Sequence, residues 1–322
     1  MVLEYLLTPA GVAGIVGALY LIRKYREYTW GWVRNKYSLK DKIYIITGAN
    51  SGLGFQTARA LAKRGATVVI CCRSMDRANQ AIEKIQAETS EGRLVALQLD
   101  LGSFASIREC ASQIKTHFPQ FDCLINNAGV SVKSKQFTKE NYEVHFGVNH
   151  LGHFLLFKLL EDNIRQNNSR IVVVSSLLHQ EGVIDFEKLG KCDDSRQSKY
   201  VNPLYSDSKL MNFYFARELY KKGFDVHILC PGFCYTDLVT NHTFKWYQLA
   251  AMSPVIFFIM RSAEQGAQNI IHAATDNKKD EKKNPFTGYL INNLEMTKSK
   301  HNFQEEIGER LWEESLKMCE LK

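Results

Sequence analysis

The feature that most constrains the fold is a series of short apolar runs separated by charged, amphipathic segments. Six such runs, rich in β-branched residues, occur at 43–47, 67–71, 94–99, 122–126, 170–176 and 225–230. Strands buried on both faces have this composition, and the intervening segments are long enough for crossover helices. The pattern predicts an α/β fold with a doubly wound parallel sheet of about seven strands. The seventh strand is expected at 287–293 and a closing helix near 302–318.

A separate apolar segment precedes this pattern. Residues 5–22 are eighteen residues without a charge, and the basic run RKYR follows at once. The length is about that of a membrane-spanning helix, and the flanking charge favours a folded domain on the cytosolic side. A buried N-terminal helix or a cleaved signal peptide are the alternatives, but in a signal peptide the charge precedes the apolar run. We predict an anchor at 1–22, a basic juxtamembrane stem at 23–41 and a single domain at 42–322.

The net charge of +7 is concentrated in this N-terminal region. Residues 1–42 hold seven basic and three acidic side chains, a net of +4, which leaves +3 for the remaining 280 residues. A nearly neutral domain lacks the dense basic face that a nucleic acid requires, so we expect no nucleic-acid partner. The basic stem instead suits the headgroups of membrane lipids.

Cysteine use agrees with a cytosolic domain. The eight cysteines show no CxxC pair and no metal-ligand spacing, which predicts reduced thiols and no metal site. Two glycosylation sequons begin at Asn167 and Asn241. In a cytosolic domain neither of them would be modified.

A glycine-rich turn follows the first predicted strand. The sequence TGANSGLG (47–54) leads directly into a helical pattern. Glycines let the backbone approach a pyrophosphate closely, and the new helix N-terminus offers free N–H groups. An ordinary turn is the alternative, but the position between a buried strand and a helix favours a Rossmann-type dinucleotide site. The candidate cofactor residues of this turn are its glycines, Gly48, Gly52 and Gly54.

Three further strand ends carry polar or small residues. Arg73 ends the second strand where an acidic residue would hold a free ribose 2′-hydroxyl, so the sequence favours NADP(H) over NAD(H). A solvated arginine is the alternative at this position. Asp100 follows the third strand, and Asn127, Ala128 and Gly129 follow the fourth, where they are expected to line the same cleft.

The candidate chemistry lies at YSDSK (205–209). Tyr205 and Lys209 are spaced to share one face of a helix, so the ammonium group is expected to lower the pKa of the phenol. Ser175 and Ser176 end the fifth strand and could bind a carbonyl oxygen. With a nicotinamide to carry the hydride, Tyr205 could donate or accept the proton.

These motifs, together with VNHLGHF (148–154) and PGFCYTDL (231–238), resemble the short-chain dehydrogenase/reductase family over about residues 40–320. Within it, HFGVNHLGHF, SAEQGAQ and ERLW resemble the membrane-anchored retinol dehydrogenase group, and GYLINNLEMTKS also resembles the related polyprenol dehydrogenase. The resemblance implies a catalytic tetrad and further cofactor contacts. The tetrad is Asn149, Ser176, Tyr205 and Lys209. The further cofactor contacts are Asn50, Ser51, Leu53, Pro231, Gly232 and Thr236, and both Tyr205 and Lys209 also fall on cofactor positions.

In this resemblance each tetrad residue has a role. Ser176 orients the substrate carbonyl, Tyr205 is the acid or base, Lys209 holds the nicotinamide ribose, and Asn149 fixes a proton-relay water. Ser175 is the less favoured serine, since the family uses the second of the pair. The polar insert KCDDSRQSK before Tyr205 departs from the shorter family spacing, which puts the loop beside the substrate in doubt.

The apolar segment 244–260 carries a single charge, Lys245, and we interpret it as a substrate lid that enters the membrane. A core helix or a second membrane span are the alternatives. The expected function is an NADP(H)-dependent interconversion of a lipophilic alcohol and its aldehyde or ketone. Retinoids come first, and polyprenol or steroid substrates follow. A catalytically silent scaffold is the alternative of another class.

The resemblance also bears on location and assembly. It implies an intracellular membrane, first the endoplasmic reticulum with the catalytic domain in the cytosol. Lipid droplets and mitochondria are the alternative locations. Membrane lipids are expected partners, and a homodimer stays open.

Overall fold

The computed structural model describes residues 8–35, 37–192, 195–196, 202–235, 253, 257–258, 260–276 and 283–321. Thr236, the Asn241 sequon and most of the predicted lid at 244–260 lie outside these residues. So do residues 1–7 of the predicted anchor at 1–22.

One eight-stranded sheet forms the centre of the domain, with strand order β3-β2-β1-β4-β5-β6-β7-β8. The first seven strands are parallel and β8 pairs antiparallel with β7. The predicted α/β doubly wound sheet is therefore confirmed, with one strand more than expected. The strands are β1 Ile43–Thr47, β2 Thr67–Cys72, β3 Arg93–Gln98, β4 Cys123–Asn126, β5 Arg170–Val174, β6 Val226–Leu229, β7 Tyr289–Asn292 and β8 Glu295–Lys298.

Eight α-helices occur in the described part of the chain. They are α1 Pro9–Trp30, α2 Gly52–Ala62, α3 Met75–Gln86, α4 Phe104–His117, α5 Gly152–Asn167, α6 Pro203–Lys221, α7 Ala263–Thr275 and α8 Glu305–Met318. A π-helical turn, His145–Leu151, precedes α5, and a short 3-10 helix, Leu177–Glu181, follows β5.

The core has two layers because alternate strand side chains face opposite sides of the sheet. Residues such as Ile45 and Leu124 pack against α4, α5, α6 and α8. Their neighbours Ile46 and Ile125 pack against α2, α3 and α7 on the other side. Strand order reverses between β1 and β4, and in such sheets the ligand crevice lies at the carboxyl ends of the strands at this point.

Helix α1 crosses residue 22, the predicted limit between anchor and stem, without a break. Thr8 caps its first turn by accepting a hydrogen bond of 3.1 Å from the Gly11 N–H, and the helix ends at Gly31. Large apolar side chains of its first part, such as Val16 and Leu21, are exposed, whereas Trp30 is buried against the domain. No helix among the described residues has both the length and the apolar character that crossing a bilayer takes. The anchor at 1–22 therefore stays a prediction.

Candidate active site

The glycine-rich turn after β1 brings two chain segments into very close contact. A Cβ at Gly54 would lie 2.4 Å from the Gly48 carbonyl oxygen, so a side chain cannot fit there. Gly48 itself has φ +66°, in the left-handed region. Helix α2 begins at Gly52, and the first N–H groups of a helix have no partner within it. This cradle of backbone fits the pyrophosphate of a dinucleotide.

A hydrogen-bond network ties the ends of β1 and β4 together. The Thr47 hydroxyl oxygen accepts from the backbone N–H groups of Asn127 and Ala128, at 3.0 and 2.9 Å. The Asn127 side-chain amide donates to the carbonyls of Thr47 and Gly48, at 2.8 and 3.2 Å. Asp100 at the end of β3 accepts from the Gly102 N–H at 3.0 Å. The walls of the crevice are thus fixed by the chain itself.

The end of β2 carries two exposed arginines. Arg73 is the residue predicted from the sequence, and Arg77 lies one helical turn further on. Ser74 caps α3 by accepting a hydrogen bond of 3.4 Å from the Arg77 N–H. Burial raises the pKa of the Cys72 thiol, and the nearby Arg77 guanidinium opposes this rise. Arg77 is not among the residues predicted from the sequence; it lies in the first turn of α3, which begins two residues after Arg73.

Helix α6 carries the predicted acid–base pair. Asn202 caps this helix by accepting from the Leu204 N–H at 3.0 Å, and Pro203 occupies its first turn, so the helix begins firmly just before Tyr205. Tyr205 and Lys209 are both buried, and the Lys209 Nζ lies 5.6 Å from the centroid of the Tyr205 ring. The Nζ donates to the Val174 carbonyl at 3.1 Å. The chain therefore brings the two side chains together as the spacing predicts.

The two serines after β5 have different surroundings. Ser175 is buried and donates a hydrogen bond to the backbone carbonyl of Lys209. Ser176 is half-buried and caps the 3-10 helix by accepting from the Leu178 N–H at 3.3 Å, and its hydroxyl lies near enough to Tyr205 to lower the pKa of that phenol. Ser176, the serine that the family resemblance favours, therefore lies on the side of the site that faces the crevice.

Asn149 lies in the π-helical turn and is fully buried. Its amide oxygen accepts from the Val130 N–H at 2.7 Å, and its amide nitrogen donates to the Val130 carbonyl and the Ser208 hydroxyl, both at 3.0 Å. The Ser208 hydroxyl in turn donates to the Tyr205 carbonyl at 2.7 Å. Asn149 thus links the loop after β4 to the active-site helix.

Burial has the largest effect on the pKa values of Tyr205 and Lys209. It raises the pKa of Tyr205 well above its usual value, and the nearby Ser176 hydroxyl offsets part of the rise. Burial also lowers the pKa of Lys209 to about 8. The sequence led us to expect a lowered tyrosine pKa. The protein alone instead favours the neutral phenol, because burial disfavours the phenolate more strongly than its neighbours stabilise it.

Histidines missed in the sequence support this centre. His153 donates through Nδ1 to the Asn149 carbonyl at 3.1 Å and accepts at Nε2 from the Thr47 hydroxyl at 2.9 Å. His145 pairs with the Glu143 carboxylate at 2.6 Å and accepts at Nε2 from the Val132 N–H at 3.0 Å. They belong to the motif HFGVNHLGHF, but their contacts depend on the π-helical turn, which the sequence does not reveal.

Part of the polar insert before Tyr205 is described. Arg196 forms an ion pair of 2.7 Å with Asp207, on the same helix as Tyr205. The Asp207 carboxylate also accepts from the Val183 N–H at 2.8 Å. The insert is therefore attached to the active-site helix at this point.

The other predicted cofactor residues within the described chain, Asn50, Ser51, Leu53, Gly129, Pro231 and Gly232, also follow β1, β4 and β6 at the crevice. A Cβ at Gly129 would lie 3.4 Å from Asn149 Oδ1 and 3.5 Å from Lys209 Nζ. The crevice floor is thus bare backbone beside Lys209, which suits a flat ring.

Comparison with known proteins gives a consistent result. The family model described as short chain dehydrogenase matches residues 42–188. The chain is 35% identical to human (Homo sapiens) retinol dehydrogenase 13, over 99% of this chain and 96% of that protein. It is 34% identical to retinol dehydrogenase 12 of Mus musculus, over 93% of this chain and 92% of that protein.

A crystal structure of an uncharacterized protein from Mycobacterium Paratuberculosis superposes with a TM-score of 0.63 at 28% identity. The superposition covers 89% of this chain and 96% of the mycobacterial chain. Fold, crevice and near-full-length relatives agree, and family membership implies a nicotinamide cofactor. The chain belongs to the short-chain dehydrogenase family of oxidoreductases.

Proposed function

We propose that the protein is an NADP(H)-dependent oxidoreductase that interconverts a lipophilic alcohol and its aldehyde or ketone. The observation that carries the proposal is the contact of Ser176 with Tyr205, beside Lys209 and the bare backbone of Gly129. A bound nicotinamide supplies the hydride or accepts it. The protein supplies the proton and the positioning.

In the reducing direction the neutral Tyr205 phenol donates its proton to the carbonyl oxygen of the substrate. Ser176 donates a hydrogen bond to the same oxygen and stabilises the negative charge that develops there. Lys209, held through the Val174 carbonyl, stabilises the phenolate that remains. In the oxidising direction the phenolate takes the proton back. The raised pKa of Tyr205 keeps the phenol protonated near neutral pH, which is the form that donates a proton in the reducing direction.

Asn149 acts in this proposal by holding the loop after β4 against α6. Both polar atoms of its amide bond to Val130 and Ser208. The sequence resemblance assigns it a relay water. Its contacts support a fixed backbone beside Lys209, where such a water could be held.

NADP(H) is proposed as the cofactor because the residue that directly follows β2 is the basic Arg73, and Arg77 and Asp76 lie together in the first turn of the helix that follows. The guanidinium groups of Arg73 and Arg77 could both reach a 2′-phosphate, and Ser74 begins the helix between them. An acidic residue, which would hold a free 2′-hydroxyl, is missing from the sequence Cys72-Arg73-Ser74.

Retinol and retinal are the first substrates to test, since the relatives with near-full coverage carry the name retinol dehydrogenase. Polyprenols, dolichol-type alcohols and steroids are the second candidates. The segment 244–260 is proposed as an apolar lid over this substrate.

The proposed location is an intracellular membrane, first the endoplasmic reticulum, with lipid droplets and mitochondria as alternatives. Exposed apolar side chains on the first part of α1 support this. The sequon at Asn167 tests the orientation of the domain: we expect no glycan there in cells, measured by the mobility shift on glycosidase treatment. A glycan on Asn167 would place the domain on the lumenal side.

The deciding experiment uses purified full-length protein with NADPH and a panel of retinal, a polyprenal and a steroid ketone. We expect turnover of at least one, with a loss of about 10²-fold or more in Tyr205→Phe. Tyr220→Phe, a half-buried tyrosine near the other end of α6, is the matched control and should keep its activity. No turnover of any compound, or equal turnover in Tyr205→Phe, would favour the silent scaffold.

A further inference from the structure

A buried arginine connects helix α1 to the crevice. Arg261 is 5% exposed, and among the described residues no carboxylate forms an ion pair with it. Its guanidinium donates to the Pro231 carbonyl at 3.1 Å and to the side-chain oxygen of Asn293. A buried charge is costly unless it finds such partners, so this cation holds its surroundings in place.

The other partner of Arg261 is the indole ring that ends helix α1. The Arg261 guanidinium carbon lies 5.3 Å from the centroid of the Trp30 ring, and those of Arg23 and Arg26 lie 4.8 and 5.7 Å from it. Trp30 is 5% exposed, whereas Trp32, two residues later, is 43% exposed. Cation–π contacts are stronger when they are shielded from water, as this one is.

The turn between β7 and β8 forms the opposite wall of this junction. Asn293 and Leu294 both have positive φ, 54° and 62°, a conformation that is costly for leucine. The Leu294 N–H donates to the Asn269 side chain at 2.8 Å, and Asn269 donates to the Cys230 carbonyl at 2.9 Å. A Cβ at Gly31 would meet the Leu294 side chain at 2.9 Å. The strained turn is therefore held between the end of α1 and the end of β6.

The loop 231–235 wraps around the same arginine. The Arg261 N–H donates to the Phe233 carbonyl at 2.8 Å, and the Tyr235 N–H donates to the Arg261 carbonyl at 2.9 Å. A Cβ at Gly232, where φ is +85°, would lie 2.7 Å from Arg261 Nε. This loop follows β6, the strand next to Ser175 and Ser176, so it borders the catalytic end of the crevice.

Helix α1 also holds the chain just before Arg261. Arg23 donates to the carbonyls of Phe257 and Met260, at 2.5 and 2.8 Å. The Arg23 guanidinium therefore attaches the last residues of the predicted lid segment, Phe257 and Met260, to helix α1. Two residues of helix α1 thus hold this region: Arg23 binds the chain just before Arg261, and Trp30 packs against the Arg261 guanidinium.

We propose that Trp30 and Arg261 are positioning residues: the docked end of helix α1 holds loop 231–235 in the conformation that completes the cofactor crevice. The proposal rests on the proposed function for its catalytic consequence. The N-terminal helix then has a role in cofactor binding in addition to any role in membrane attachment. It acts on the loop through Arg261 and has no direct contact with the reacting atoms.

The test compares Trp30→Ala with the matched control Trp32→Ala in the full-length protein. Amide hydrogen exchange of residues 230–235 and the dissociation constant for NADPH are measured, together with kcat and KM. We expect Trp30→Ala to speed exchange in this loop about tenfold and to weaken NADPH binding to a similar extent, with a smaller change in kcat. Trp32→Ala should match the wild type, and Trp30→Phe should recover part of the loss.

Wild-type exchange and NADPH binding in Trp30→Ala would overturn the proposal. So would faster exchange throughout β1 and β4, because that would indicate general destabilisation. If the wild type reduced no carbonyl compound, the proposed function would fail, and the exchange of residues 230–235 would still decide the role of Trp30.

Discussion

The hydroxyl of Ser175 donates a hydrogen bond of 2.8 Å to the backbone carbonyl of Lys209. This bond joins the end of β5 to α6, so it fixes the distance between the strand end and the helix that carries Tyr205 and Lys209. Ser176, its neighbour, uses its hydroxyl toward Tyr205. In the proposed function, Ser175 therefore supports the helix and Ser176 takes part in the chemistry.

Exchange of each serine for alanine should separate these roles. Ser176→Ala should lower kcat/KM about 10²-fold or more with little change in thermal stability, because it removes a donor to the developing oxyanion. Ser175→Ala should lower the free energy of unfolding by about 1 kcal/mol, the value of a buried hydrogen bond. Steady-state kinetics and thermal unfolding measure both. Equal kinetic losses in the two variants would contradict the assignment.

The pH dependence of activity should report Lys209, whose pKa is lowered to about 8 by burial. As pH rises through this value the ammonium loses its proton and no longer stabilises the phenolate of Tyr205. We therefore expect kcat/KM for NADPH in the reducing direction to fall above about pH 8, since this ratio reports the free enzyme. Lys209→Arg should remove this fall in kcat/KM above pH 8, although kcat/KM itself should be lower than in the wild type. An unchanged fall in Lys209→Arg would assign it to another group.

Cofactor preference should depend on the two arginines after β2. Arg73→Ala and Arg77→Ala should each weaken NADPH binding by about 10-fold to 100-fold and leave NADH binding nearly unchanged, because each removes a charged hydrogen bond to a phosphate. Arg93→Ala, an exposed arginine at the start of β3, is the control. Binding measured by cofactor fluorescence gives the answer, and equal losses for both cofactors would refute the phosphate role.

A methyl group added at Gly54 should abolish cofactor binding. Its Cβ would lie 2.4 Å from the Gly48 carbonyl oxygen, so the turn must open. Gly14→Ala is the matched control, because a Cβ there meets nothing within 4 Å and helix α1 should gain stability from it. NADPH binding and thermal unfolding compare the two. Normal NADPH binding by Gly54→Ala would contradict the observed close approach.

Acid should destabilise the fold through its buried histidines. Burial lowers the pKa of His150 to about 3 and of His153 and His179 to about 4, against an ordinary value near 6.5. Below pH 6.5 the unfolded chain binds protons that the folded protein does not, so stability falls between about pH 6.5 and 4.

The contribution of His150 can be measured alone. In His150→Asn, the free energy of unfolding should decrease less steeply than in the wild type as the pH falls through this range. His117→Asn, at an exposed histidine, should leave the slope as it is. A slope that both variants leave unchanged would show that other groups govern acid unfolding.

The parallel strands could be predicted from the sequence because strands buried on both faces need long apolar runs. Strand β8 could not, since its sequence EMTK is polar and half-exposed at the sheet edge. Its turn lacks glycine as well: Asn293 and Leu294 adopt positive φ, and only the asparagine gives a hint.

The candidate site divides in the same way. The positions of Tyr205 and Lys209 follow from helical spacing, so the sequence reveals their proximity. The direction of the Tyr205 pKa depends on how deeply the ring is buried, which spacing does not contain. The contact of Trp30 with Arg261 joins residues far apart in the chain, so no local pattern indicates it.

Helix α1 is one continuous rod of 22 residues, about 33 Å long at the usual rise per residue. Its last turn is fixed to the folded domain, so any tilt of the rod turns the whole domain through the same angle. If the first part of the rod is embedded in lipid as we propose, bilayer thickness would set that tilt. The orientation of the crevice opening relative to the lipid surface would then vary with the thickness of the membrane in which the enzyme lies.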